Sequence, residues 1–234
     1  MIDSAIILAA GRGERMRPLT DTVPKPLIPV AGRSMLDRSL DRLLAFGVRN
    51  IVVNVHHLGQ QIADRLNGQA KIIFEDRLLE TGGSVKNALP LLGNKAFYVL
   101  NGDGLWTDGP EAPVLSRLDG RWDAERMDAL LLLHPLYKMI GREPRDRGDY
   151  FVEPRGRLRH RGTAPLSPYM FASLSVCSAR LFRDSPDGPF SLLQLWHRAE
   201  ADGRLHGMIH DGGWFHIGTP EALATAERIL GQPG

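Results

Sequence analysis

Short apolar runs alternate with helical stripes through the first hundred residues, and this alternation restricts the fold more than any other feature of the chain. Ala5-Ile6-Ile7-Leu8-Ala9 is a short continuous apolar run, as expected of a strand buried on both faces. Leu36, Leu40, Leu43 and Leu44 then recur at helical spacing, with Ser34 placed to cap the helix start and Gly47 to end it. Ile51 to Val55, Lys71 to Phe74 and Phe97 to Leu100 read as further strands. They are separated by helices through Leu58, Ile62 and Leu66 and through Val85, Ala88 and Leu89. Strands and helices alternating at this spacing predict an α/β protein whose parallel sheet is covered on both faces.

Beyond residue 104 the pattern loosens. Ala129 to Leu133 predicts a central strand, and residues 134–149, with Pro135, Gly141, Pro144 and Gly148, read as a long loop. Tyr150-Phe151-Val152 and Arg157-Leu158-Arg159 flank Pro154-Arg155-Gly156, a hairpin signal. A helix at Leu192 to Ala201, a strand near Leu205 to Ile209 and a helix opening on Pro220 complete the chain. The halves meet somewhere in 104–128, where the sequence specifies little.

Composition narrows the function. In 234 residues, 29 Lys+Arg against 27 Asp+Glu leave a net charge of +2, so nothing here holds nucleic acid by bulk charge. Apolar runs such as Ala129 to Leu133 are too short for a bilayer, and Met1-Ile2-Asp3-Ser4 lacks the basic region of a signal peptide. The single cysteine, Cys177, has no internal disulfide partner, and no Cys/His spacing fits zinc. The expectation is a cytoplasmic protein.

Chemistry concentrates in Leu8-Ala9-Ala10-Gly11-Arg12-Gly13-Glu14-Arg15-Met16-Arg17-Pro18-Leu19-Thr20, directly after the first strand, where α/β sheets bind ligands. A dinucleotide fingerprint would need glycine where Met16 stands and an acid after the second strand, which reads His56-His57. A P-loop would need Gly-Lys-Ser/Thr. What remains is a glycine loop with Arg12, Arg15 and Arg17, followed by Lys25 between Pro24 and Pro26. Glycines let backbone N–H groups approach phosphate oxygens, guanidinium groups bind those oxygens in pairs, and flanking prolines restrict the lysine's backbone. The competing reading is an ordinary strand-to-helix turn with solvated basic side chains.

Gly11-x-Gly13-x-Arg15-Met16-x-Pro18-Leu19-Thr20 followed by Pro24-Lys25-Pro26-Leu27 resembles the signature of the sugar-1-phosphate nucleotidyltransferases. Glu80-Thr81-Gly82-Gly83, Asn101-Gly102-Asp103, Arg147-Gly148-Asp149-Tyr150 and Trp214-x-x-x-Gly218-Thr219 recur in the same order, so the resemblance spans about 5 to 230. Leu79-Glu80-Thr81-Gly82-Gly83 is most similar to the uridylyltransferases of cell-wall recycling that act on N-acetylmuramic acid 1-phosphate. The resemblance implies a Rossmann-like, mostly parallel mixed sheet with helices on both faces, a glycosyltransferase-A-like nucleotidyltransferase fold. It implies one domain over 1–234, with a nucleotide-binding half at 1–103 and a sugar-phosphate-binding half at 128–234. The implied reaction joins an NTP, expected to be UTP, to a sugar 1-phosphate and releases pyrophosphate. Such an enzyme has small-molecule substrates, needs neither nucleic acid nor membrane, and works as a monomer or homodimer.

Carried over position by position, the resemblance assigns catalytic roles to Arg15, Lys25 and Asp103. It assigns nucleotide binding to Leu8, Ala10, Gly11, Gly13, Glu14, Arg15, Lys25, Glu80, Thr81 and Gly82, with Glu80 to Gly83 expected just ahead of a helix. Asn101 and Asp149 are expected to contact the sugar phosphate. The implied metal is Mg²⁺, on Asp103 and on an acid in a Trp-x-Asp-x-Gly-Thr element, but here that segment reads Trp214-Phe215-His216-Ile217-Gly218-Thr219. His216 thus stands in the acid's place, and an imidazole favours Mn²⁺ over Mg²⁺. Lys138, Arg142, Arg145 and Arg147 have two readings, a cluster that gathers the sugar-phosphate charge or, as basic stretches more often are, a solvated face. The family's Glu-Lys-Pro lysine is absent, since Glu153-Pro154-Arg155 does not match it. Two rival functions stand beside the uridylyltransferase: a guanylyltransferase acting on mannose or heptose 1-phosphate, and a non-catalytic sugar-nucleotide sensor that has lost the metal acid.

Overall fold

Apolar strands must be covered on both faces, and β1 (Ser4–Leu8) is: Ala5, Ile6 and Ile7 are wholly buried. A computed structural model describes residues 1–143 and 145–231 of the chain. After β1 come the two-residue strands β2 (Pro29–Val30) and β3 (Arg33–Ser34), then α1 (Met35–Phe46), β4 (Asn50–Val55), α2 (Gly59–Leu66), β5 (Lys71–Phe74), α3 (Glu80–Leu92) and β6 (Ala96–Asn101). The remainder comprises β7 (Gly104–Trp106), α4 (Val114–Arg121), β8 (Ala129–Pro135), β9 (Tyr150–Val152), β10 (Leu158–His160) and β11 (Tyr169–Ser178). It closes with α5 (Leu192–Ala201), β12 (Leu205–Ile209), β13 (Trp214–His216) and α6 (Pro220–Leu230).

Local signals account for α1. Ser34 accepts a hydrogen bond from the Asp37 N–H at 3.1 Å, and Gly47 ends the helix at φ +99°. Leu36, Leu40 and Leu43 are buried, but Leu44 is exposed, so the core stripe is one residue narrower than its spacing predicts. The predicted hairpin is present as β9 and β10, and α6 buries Ala226 with Leu223 and Leu230 packed alongside. Pro144, expected in the loop before β9, lies outside the described residues.

One sheet takes strands from both halves. Along β10-β9-β11-β6-β1-β4-β5, the pairs β6–β1, β1–β4 and β4–β5 are parallel, as are β8 and β12. The ten-residue β11 runs the other way and joins the two parallel sets, pairing antiparallel with both β6 and β8. The strands of the first hundred residues are parallel, as their pattern predicts, and β11 makes the whole the mostly parallel mixed sheet that the resemblance implies; β11 itself is the element that sequence reasoning missed. Its register shifts between Phe171 and Ser175, where Ser173 adopts φ +62° and presses against Gly104. The poorly specified segment after Asp103 holds β7 and α4, and β7 pairs antiparallel with β13, bringing His216 opposite Gly104.

Candidate active site

At the carboxyl edge of β1 the chain turns through Gly11 to Met16. Gly13 has φ +66°, and a Cβ there would stand 2.8 Å from Thr20 Cγ2 and 3.1 Å from Lys25 Cβ, so conformation and space both require glycine. The Thr20 hydroxyl donates to the Gly13 carbonyl at 2.9 Å and braces the loop. Met16, standing where a dinucleotide loop would carry glycine, is fully buried in a small cluster with Ile28, Phe215 and Ile217. The side chain that breaks the fingerprint thus anchors the loop.

Lys25 opens a short turn between an extended Pro24 and a buried Pro26. Its Nζ lies 2.9 Å from Asp103 Oδ2, and its side chain is only 12 % exposed. Burial pushes the Asp103 carboxyl up, but Lys25, His216 and Arg15 outweigh it, and the group sits below the ordinary carboxylate range. Asp103 is held by its neighbours: the Gly102 N–H donates to the Leu8 carbonyl at 2.9 Å, and the Ile217 N–H donates to the Asp103 carbonyl at 3.2 Å. A Cβ on Gly102 would stand 2.6 Å from the Leu8 oxygen, so only glycine lets β6 turn this close to β1. A Cβ on Gly218 would meet His216 Nε2 at 3.0 Å and the Arg15 guanidinium at 3.1 Å, so both side chains crowd this glycine.

Every sequence-predicted site residue except Gly82, Asp149 and His216 lines one cleft of about 600 Å³. His216 is not a lining residue; it stands opposite Gly104, close enough for its charge to act on Asp103. Gly82 has another task. The segment Glu80 to Gly83 forms the first turn of α3 instead of preceding it, and the Gly82 and Gly83 N–H groups both donate to the Phe190 carbonyl, at 2.8 and 3.1 Å. A Cβ on Gly83 would stand 2.4 Å from the Gly188 carbonyl oxygen. Gly83→Ala is therefore expected to lower stability by about 1–3 kcal/mol through overpacking, read from the midpoint of chemical denaturation. An unchanged midpoint would show that α3 does not need this close approach. Asp149 accepts from the Phe171 N–H at 2.8 Å, and burial, the largest influence, raises its carboxyl above the ordinary range. Phe171 lines a smaller adjoining pocket of about 180 Å³, which shares Thr81 and Asn101 with the cleft.

The cleft also contains a polar chain that sequence reasoning missed. Asn54 accepts from the Ala9 N–H at 3.0 Å and donates to Glu75 Oε1 at 2.8 Å; the Ser84 hydroxyl donates to the same oxygen at 2.6 Å. Among the described residues Glu75 Oε2 receives a single, longer bond, 3.3 Å, from the Leu79 N–H. The available signal was positional, because Asn54 interrupts an apolar strand and Glu75 directly follows one, as Asp103 does. Glu80, also on the cleft, has φ +57°, a backbone state uncommon for a residue with a side chain. Nothing recommends the remaining candidates. His56 and His57 bond to the backbone carbonyls of Glu75 and Thr20, and both carboxylate oxygens of Asp211 are engaged, by Arg117 and the Glu111 N–H.

A glycine loop stands at the carboxyl edge of a mostly parallel sheet, with Arg15 and a largely shielded Lys25 beside a carboxylate, an arrangement whose charge suits a chain of phosphates. The chain matches the nucleotidyl transferase family model over residues 4–117. It is 40 % identical to the N-acetylmuramate alpha-1-phosphate uridylyltransferase of Caulobacter vibrioides, the alignment covering 97 % of each chain. It is 35 % identical to the enzyme of the same name from Neisseria meningitidis serogroup B, over 97 % of this chain and 98 % of that one. Among solved structures, a protein described as a glucose-1-phosphate thymidylyltransferase from Bacillus anthracis superimposes with a TM-score of 0.81 at 19 % identity, over 99 % of this chain and 96 % of that one, and so shares the fold. The chain belongs to the sugar-1-phosphate nucleotidyltransferase family and is an enzyme of that class. Among the described residues no helix is long and apolar enough to cross a membrane.

Proposed function

We propose that the enzyme joins UTP to N-acetylmuramic acid 1-phosphate and releases pyrophosphate. The observation that carries this is the convergence, on the rim of one cleft, of the glycine loop, Arg15 and the 2.9 Å Lys25–Asp103 pair. Two uridylyltransferases similar over nearly the whole chain support the choice of substrates. A phosphate oxygen of the sugar 1-phosphate attacks the α-phosphorus; a P–O bond forms there, and the bond to the β-phosphate breaks and leaves with pyrophosphate. No covalent intermediate on the protein is needed, so the work is positioning and charge stabilisation. The loop N–H groups and Arg15 hold the triphosphate, and Lys25 neutralises charge on the reacting phosphates. Residues 1–103 supply this nucleotide half. Residues 128–234 supply most of the adjoining pocket, including Phe171 and Trp196, with Asn101 shared between it and the cleft and Asp149 acting through Phe171.

Glu75 bears on the base. Its Oε2 has acceptor capacity to spare and suits a ring N–H, which uracil and guanine carry and cytosine and adenine lack. That same feature keeps a guanylyltransferase as the second reading.

The donor set also suits a divalent cation. Asp103 offers one carboxylate and His216 one imidazole, and among the described residues no group of three His, Cys, Asp or Glu gathers to cage an ion. Such a pair fits an ion that draws its other ligands from phosphates and water. Bound there, the ion would neutralise developing phosphate charge.

Pyrophosphate release measured with each NTP, a panel of sugar 1-phosphates and either Mg²⁺ or Mn²⁺ tests the proposal. The expected result is turnover with UTP and N-acetylmuramic acid 1-phosphate, with Mn²⁺ favoured in the natural protein and His216→Asp shifting the preference toward Mg²⁺. Preference for GTP with mannose or heptose 1-phosphate would overturn the substrate choice. Silence of the natural protein with every pair, restored by His216→Asp, would establish the sensor instead.

A further inference from the structure

The parallel strands point their carboxyl ends at the cleft, and β8 and β12 share that direction through β11. At their opposite, amino edge, the connection from α4 to β8, the β9–β10 turn and the connection from α5 to β12 surround a basin of about 560 Å³. It has no lining residue in common with the cleft. Arg126, Arg155, Arg157, Arg204 and His206 line it, together with the carboxylates of Glu125 and Asp202. A neighbouring hollow of about 590 Å³ shares Arg126 and Arg155 and adds Arg121 and Asp123.

The charges in this basin are unbalanced. Arg204 is committed to Asp128, at 3.0 Å. Among the described residues Arg121, Arg126, Arg155 and Arg157 make no ion pair, whereas the nearby Arg159 and Arg180 each do. The turn is shaped around these cations. Arg155 is held at φ +63°, and Gly156 leaves room for the Arg121 guanidinium, whose Nη2 would lie 2.8 Å from a Cβ at that position.

The floor supplies a second, independent feature. His206, the second residue of β12, is 2 % exposed, and its Nδ1 is buried without a hydrogen-bond partner. Buried polar atoms are ordinarily satisfied, so the floor of the basin carries an imidazole whose hydrogen bonding the protein leaves incomplete. Burial, then Arg126, Arg157 and Arg121, lower the imidazole's proton affinity, with Asp123 opposing; a bound anion would reverse that influence.

We propose that this basin is a second ligand site, for a small phosphate-bearing anion, with the unpaired guanidinium groups of Arg126, Arg155 and Arg157 gripping the phosphate oxygens above the imidazole of His206. Guanidinium forks match phosphate oxygens two at a time, which point-charge lysines do not. The concavity and the interspersed Glu125, Asp202 and Asp123 suit a compact anion and oppose an extended polyanion such as nucleic acid.

Calorimetric titration of the full chain with inorganic phosphate, and in a parallel arm with glucose 6-phosphate, tests the site. The cleft variant Lys25→Ala and the double variant Arg126→Ala/Arg155→Ala are compared with the natural protein, while imidazole NMR signals follow His206. Lys25→Ala should retain the phosphate site with the His206 signal shifting on saturation. The double variant should bind about tenfold more weakly or worse, at unchanged melting temperature and unchanged turnover without added phosphate. Should the double variant melt early, Arg155→Gln alone, on the exposed turn, is expected to weaken binding in the same direction. Tighter binding of glucose 6-phosphate than of phosphate identifies a phosphorylated metabolite as the occupant, and the reverse identifies free phosphate. Binding abolished by Lys25→Ala, binding indifferent to the arginine variants, or no binding to any protein would each overturn the assignment.

Discussion

Truncating Lys25 to alanine will lower kcat for pyrophosphate release by about 10²- to 10³-fold, the loss of about 3–4 kcal/mol associated with removing one preorganised donor from a developing phosphate charge. The expectation rests on how the ammonium is mounted: flanked by Pro24 and the buried Pro26, mostly shielded from solvent, and 2.9 Å from Asp103. The fold should survive, because Arg15 and His216 still face the orphaned carboxylate. Lys25→Arg should rescue little, since the stem starts against the Gly13 turn and leaves no slack for a longer head group. Steady-state kinetics decides the matter. A loss confined to KM, or a kcat within about threefold of the natural enzyme, would assign Lys25 to ground-state binding alone.

Asp103→Asn should separate two effects of one carboxylate. Turnover is expected to fall about 10²-fold or more with any divalent cation, because the variant removes the negative charge at the rim while keeping its size. Nucleotide binding measured in EDTA should move the opposite way and tighten. In the natural protein Asp103 occupies Lys25 and repels an incoming triphosphate, whereas the neutral amide holds Lys25 only by an uncharged hydrogen bond and repels nothing. Calorimetry with UTP in EDTA, set beside pyrophosphate release, reads both. Weakened binding in EDTA would mean that Asp103 serves only to hold the loop together.

The sequence shows most clearly those parts of the molecule whose causes are local. The Ser34 cap, the Gly47 stop, the bounds of β5 and α5 and the Pro220 start of α6 each depend on a few neighbouring residues, and each stands where the pattern puts it. The glycine loop was equally legible, since positive φ and close backbone approach leave a direct chemical trace. Features created by distant partners were not. β11 carries three serines in ten residues, which read as irregular, yet Ser173 and Ser175 are buried because strands far apart in sequence enclose them. Gly82 and Gly83 look like ligand-facing glycines until the Phe190 carbonyl is seen to take both of their N–H groups. Asn54 and Glu75 lie 21 residues apart and become one polar chain only when β4 and β5 align side by side.

The reversed strand also has a consequence for biosynthesis. The first hundred residues contain every element needed to lay down β6, β1, β4 and β5 in order, but β6 keeps one bare edge until residues 169–178 leave the ribosome. A nascent chain paused before that point presents an open row of amide and carbonyl groups to other polypeptides. Rapid translation through the middle of the message, or a chaperone over that rim, would shorten the interval of exposure.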